Sequence, residues 1–160
     1  MKVRTQFRRP GHTIVEAAFV LLLALTLTFA IYDYGRYFLL SELVNNAARE
    51  GARQAVATTN TQNTAAIQAT VIQYLANQNS LQGLTNSSGK AFSASDVVVL
   101  QVNPATGQAT TPDSNWYDAA FGSSIMVQVN AQFTPLFPSF GFMPSTVKIQ
   151  GTSVMSSEAN

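Results

Sequence analysis

Hydrophobic and polar positions divide the chain into three regimes. From Ile14 to Ile31 the residues are almost wholly apolar and the only ionisable side chain is Glu16. Thr26 and Thr28 interrupt this run, but each can bond back to a helix carbonyl. A bilayer core takes about 20 apolar residues as a helix with a rise of about 1.5 Å each. His12 to Ile31 matches that length, and Tyr32 and Tyr34 stand where an interfacial aromatic belt would lie. The pattern predicts a membrane helix over 12–34, starting at His12 or Thr13 because Pro10-Gly11 breaks regularity.

Beyond the span the period stays helical. Val44, Ala47, Ala48, Gly51, Ala52 and Ala55 fall at i, i+3, i+4, i+7, i+8 and i+11, the stripe of one helix face. A stripe this small lets another element approach the helix backbone, either the chain's own sheet or a neighbouring subunit. Gly51 costs about 1 kcal/mol against Ala inside a helix, which close packing can offset. Asp33 with Arg36, and Glu50 with Arg53, repeat an i, i+3 spacing that reads as a solvated helix face. A polar break over 58–64 precedes a second, shorter helix at about Thr64–Asn77, with Ile67, Val71, Tyr74 and Leu75 on one face. Gln78 to Ser95 reads as loop. Its Asn86-Ser87-Ser88 matches the glycosylation triplet, which carries no weight in a stretch so rich in Asn and Ser.

In the last third the period falls to two. Val97 to Val102 is a β-branched run ended by Asn103-Pro104. Ile125, Val127, Val129, Ala131 and Phe133 alternate with polar residues and Met126, and Val147, Ile149 and Gly151 do the same in a closing strand. Between these strands, Pro135 to Pro144 holds three prolines and three phenylalanines. The prolines confine it to a loop or edge. The phenylalanines either cap the core or face a partner or a membrane. The fold class expected is α+β: a single N-terminal transmembrane helix continues into a long amphipathic helix packed on a small antiparallel sheet, with a short second helix.

Composition narrows the function. Charged residues make up 11% of the 160-residue chain, less than half the usual share of about 25%. Without cysteine there are no disulfides or thiolate metal sites. The net charge of +1 hides an asymmetry. Lys2, Arg4, Arg8 and Arg9 give residues 1–11 a charge of +4, and residues 12–160 carry −3. Four bases before an apolar span predict a cytoplasmic leader (1–11) and an extracytoplasmic domain (35–160), and argue for a topology signal, with no nucleic-acid partner.

Catalysis needs a base near a nucleophile or two differently tuned carboxylates. The only histidine is His12, at the membrane edge. No acid dyad, phosphate loop or metal-ligand spacing stands out, and Asp113 and Asp118 around Trp116-Tyr117 read as a loop. No enzyme, no cofactor and no metal are expected. Glu16 is the informative residue. A carboxylate at mid-bilayer costs about 2.5–3.5 kcal/mol on insertion scales, less near the edge, so Glu16 either snorkels to the headgroups or has a partner. Cleavage after Gly11 would supply one, the new α-amino group of His12 on an adjacent subunit.

Basic leader, Gly11, Glu16 and an apolar helix together resemble the class III signal of type IV pilin-like proteins. More specifically, three segments resemble the TadE-like pseudopilins of the tight-adherence (Flp pilus) system. They are Gly11-His12-Thr13-Ile14-Val15-Glu16-Ala17-Ala18-Phe19-Val20, then Tyr34-Gly35-Arg36, then Asn46-Ala47-Ala48-Arg49-Glu50-Gly51-Ala52-Arg53. Ala17 stands where Flp-type motifs usually carry an aromatic. The resemblance implies a pilin-like fold and a minor pilin or assembly factor in a bacterial inner membrane. It implies Gly11–His12 as the bond cut by a prepilin peptidase and Glu16 as the residue setting subunit register. Implied partners are other pilin or pseudopilin subunits, the assembly platform and membrane lipid, in adhesion, surface colonisation or secretion. Two other readings keep different N-termini. An uncleaved anchor with an outer interaction module starts at Met1, and a domain released by signal peptidase after Thr28-Phe29-Ala30 starts at Ile31. The continuing helix pattern through residue 31 argues against the latter.

Overall fold

The structure is a computed structural model that describes residues 10–59, 63–77, 83–103, 106, 108–109, 116–119, 121–138 and 143–157. The basic leader residues Lys2, Arg4, Arg8 and Arg9, together with Asp113, Phe140 and Phe142, lie outside the described residues.

One helix, α1 (Pro10–Ala57), runs unbroken for 48 residues. It starts two residues before the expected His12. A proline suits the first helical turn, where its fixed φ is already helical and its missing N–H would have had no partner. Within the span, the Thr26 and Thr28 hydroxyls donate to the carbonyls of Leu23 and Ala24, both at 2.8 Å. Neither leaves a polar group unsatisfied in an apolar setting. The helix ends where the Thr58 hydroxyl turns back to the Gln54 carbonyl. Helix α2 (Thr64–Ala76) is capped by Asn63, whose side chain accepts from the Ala66 N–H at 2.9 Å.

Four antiparallel strands follow: β1 (Leu84–Asn86), β2 (Val97–Val102), β3 (Ser124–Phe133) and β4 (Val147–Ser156). β4 pairs with β3 along its whole length. β1 and β2 lie end to end on the other edge of β3, opposite 131–133 and 124–129 respectively. The sheet is therefore three strands wide with β3 at its centre. β1 corrects the reading of 78–95 as loop. Its three residues gain their strand only by pairing with a segment some 47 positions away, which no local pattern announces. Asn86 is buried, and its amide donates to Asp96 at 3.2 Å while Ser93 caps the same carboxylate.

The core lies between one sheet face and the two helices. Ile125, Val127, Val129, Ala131 and Phe133 of β3 are all buried against the helices, as period-two alternation requires. Phe133 sits near Tyr37 of α1 and Val127 near Gly51, so β3 runs antiparallel to α1 and delivers its C-terminal end toward the apolar half of the helix. Helix α2 contributes Ile67, Val71 and Leu75, and the Gln68 amide donates to the Val97 carbonyl at the start of β2. Trp116 is buried in a single 3-10 turn, Trp116–Asp118, and its indole N–H donates to the Thr64 hydroxyl at 2.8 Å.

Candidate functional site

The residues singled out by sequence fall at two places on α1. Gly11, His12 and Glu16 occupy the first two turns and are exposed. His12 Nδ1 lies 3.9 Å from Glu16 Oε2, one turn apart on the same chain. Glu16 is 69% exposed and borders a shallow groove lined by Thr13, Ala17, Val20, Leu21 and Ala24. Around it Ile14, Val15, Phe19 and Val20 are open on all sides. No residue in the most apolar stretch of the helix is buried inside the molecule.

The second place is the small-residue stripe. Val44, Ala47, Ala48, Gly51, Ala52 and Ala55 are all buried. A Cβ on Gly51 would stand 2.6 Å from Val71 Cγ2 and 3.1 Å from Val127 Cγ1. The chain's own α2 and sheet thus cover the stripe. Glu16 and Val44 are about 40 Å apart along the helix at about 1.5 Å per residue, so the two sets form no common site.

Between them lies a constellation that sequence reasoning missed. Asp33 and Arg36 are not a solvated pair. Asp33 is 5% exposed, and its two carboxylate oxygens accept the main-chain N–H groups of Leu136 (3.2 Å) and Phe137 (3.1 Å). Arg36 Nη1 stands 3.9 Å from Asp33 Oδ1, and the guanidinium lies over the rings of Tyr32 and Phe133 at 5.9 and 5.5 Å. One turn lower, Phe137 stacks on Phe29 with ring centroids 4.4 Å apart. The antiparallel run of β3 explains this: the chain leaving Phe133 emerges beside the middle of α1, and a carboxylate there takes up N–H groups that follow a strand end and Pro135. The signal available beforehand was a loop rich in proline and phenylalanine, whose rings need burial, between the last two strands.

Among the described residues, no three His, Asp or Glu side chains gather closely enough to hold a metal ion.

Residues 11–53 match the family model described as TadE-like protein. The match lies wholly within α1 and contains Gly11, His12, Glu16, Asp33 and most of the stripe. Neither a curated protein nor a solved structure matches the chain.

Proposed function

We propose, from the TadE-like segment at residues 11–53, that this protein is a minor pilin or pseudopilin taking part in assembly of a tight-adherence (Flp-type) pilus. Its role is structural and supports adhesion, surface colonisation or secretion. The helix 12–34 spans the bacterial inner membrane, with leader 1–11 in the cytoplasm and 35–160 outside. One observation carries this reading: the family match coincides with a helix long and apolar enough to cross a membrane, and no residue of its most apolar stretch is buried. Exposed Leu and Phe in such number need a lipid or protein environment.

In this reading a prepilin peptidase cuts Gly11–His12. Glu16 then pairs with the His12 α-amino group of a neighbouring subunit, setting axial register among pilin helices held by the assembly platform. An exposed carboxylate on an apolar helix surface supports that role, because the hydrocarbon core offers it nothing to bond. The alternative, an uncleaved single-pass anchor with an outer interaction module, also has an observation behind it. The helix already begins at Pro10, and His12 and Glu16 face each other within one chain.

Intact mass and N-terminal sequencing of the protein from native membranes decide between them. A start at His12 establishes processing, and a start at Met1 leaves the anchor. Gly11→Ala is the matching variant, because no atom lies within 4 Å of the added methyl. A loss of processing in that variant reports on the peptidase rather than on folding.

A further inference from the structure

We propose that the turn 134–138 is a second membrane contact, resting Leu136 on the outer interface of the bilayer beside the helix. The inference goes beyond pilus assembly and rests on the reading that α1 spans the membrane.

The first ground is height. A hydrocarbon core of about 30 Å consumes about 20 helical residues, so a span that begins at His12 ends near residue 32. The turn is fastened to α1 at Phe29 and Asp33, which straddle that boundary. The second ground is rigidity. Asp33 holds the N–H groups of Leu136 and Phe137, and the Thr134 N–H donates to the Gly83 carbonyl at 2.8 Å. The turn is thus held to the helix at Leu136 and Phe137 and to the β1 side at Thr134.

The third ground is chemistry. Pro135 is buried and Phe137 is half-buried against Phe29, but Leu136 is left 49% exposed. It is held at Asp33, the level on α1 at which Tyr32 and Tyr34 are exposed. Tyrosines flanking an apolar run prefer the headgroup level. Leu136 is therefore an exposed apolar side chain at the headgroup level, and the main-chain N–H groups of Leu136 and Phe137, costly to bring near lipid, are already spent on Asp33. A carboxylate at this height satisfies the backbone that the bilayer cannot.

The chain holds no cysteine, so single labels report without background. Leu136→Cys, Leu22→Cys and Phe121→Cys are spin-labelled in the full chain, in vesicles of phosphatidylethanolamine and phosphatidylglycerol. Collisions with oxygen and with a water-soluble nickel chelate are then compared. Phe121 is 73% exposed and precedes the far end of β3, about 30 Å from the turn at about 3.3 Å per strand residue. The expected oxygen-to-nickel ratio at position 136 is several-fold above that at 121 and below that at 22. A ratio at 136 equal to that at 121, with 22 lipid-exposed, overturns the contact and leaves the span standing. Shielding of 136 from both reagents overturns it in favour of a protein neighbour. A water-exposed 22 removes the span and the contact together.

Discussion

Gly151 of β4 lies against the main-chain carbonyl of Val44 in α1: a Cβ added to it would stand 2.5 Å from that oxygen and 2.9 Å from Val44 Cγ1. Strand and helix touch backbone to side chain and backbone to backbone, with no flexible atom able to yield. Gly151→Ala is therefore expected to destabilise the fold by about 2–3 kcal/mol, at the upper end of overpacking costs. Denaturant unfolding in detergent measures it, and an unchanged midpoint would show that β4 can shift away from the helix.

At Gly51 two effects oppose each other. Alanine gains about 1 kcal/mol of helix propensity but places a methyl 2.6 Å from Val71 Cγ2, on a β-branched side chain that is stiff at χ1. The clash wins, and Gly51→Ala is expected to cost about 1–2 kcal/mol. Val71→Ala should cost more by itself, yet the double variant should be more stable than the two losses added together, because each change makes room for the other. Strict additivity in that cycle would mean that the two residues do not share the space.

The Asp33 carboxylate offers two acceptors to two N–H groups. Asp33→Asn keeps one acceptor and is expected to release one of them; Asp33→Ala releases both. A hydrogen bond to a charged group contributes about 1.5–3 kcal/mol, so the amides of Leu136 and Phe137 should exchange with deuterium at least about tenfold faster in the alanine variant. Amides of β3 should be unaffected. Equal protection in Asp33→Ala would show that contacts other than the carboxylate, the Phe29–Phe137 stack among them, hold the turn in place.

Trp116 is the chain's single tryptophan, buried with its N–H on the Thr64 hydroxyl. Thr64→Val preserves shape and removes the acceptor. The expected loss is about 1–2 kcal/mol at unchanged denaturant slope, followed by the emission of that tryptophan. Ser in place of Thr restores the hydroxyl acceptor and should recover most of the loss.

What could be seen from sequence was what repeats locally. Ile125 to Phe133 alternates over the whole length of β3, and Val44 to Ala55 marks one helix face, so both elements were legible. Gly151 was visible as part of an alternation, but its reason, the approach to Val44, depends on a partner more than a hundred positions away. β1 escaped for the same cause: Leu84-Thr85-Asn86 is too short and polar to show a period, and its pairing residues lie at 131–133. Asp33 and Arg36 misled because i, i+3 spacing is judged as if the helix were alone. Their burial follows from where β3 ends, which no pattern within α1 records. Gly11, His12 and Glu16 stand out by type and spacing, and the structure leaves them exposed on the first two turns of α1.

The unbroken course of α1 also has a mechanical meaning. From Phe29 to Ala55 it is gripped along its length by the turn, the sheet and α2, and below Phe29 it stands bare. Tension applied along its axis loads those contacts in shear, many at once, instead of peeling them one at a time. A pull on the uncovered N-terminal half of α1 is therefore shared across the whole helix–sheet contact.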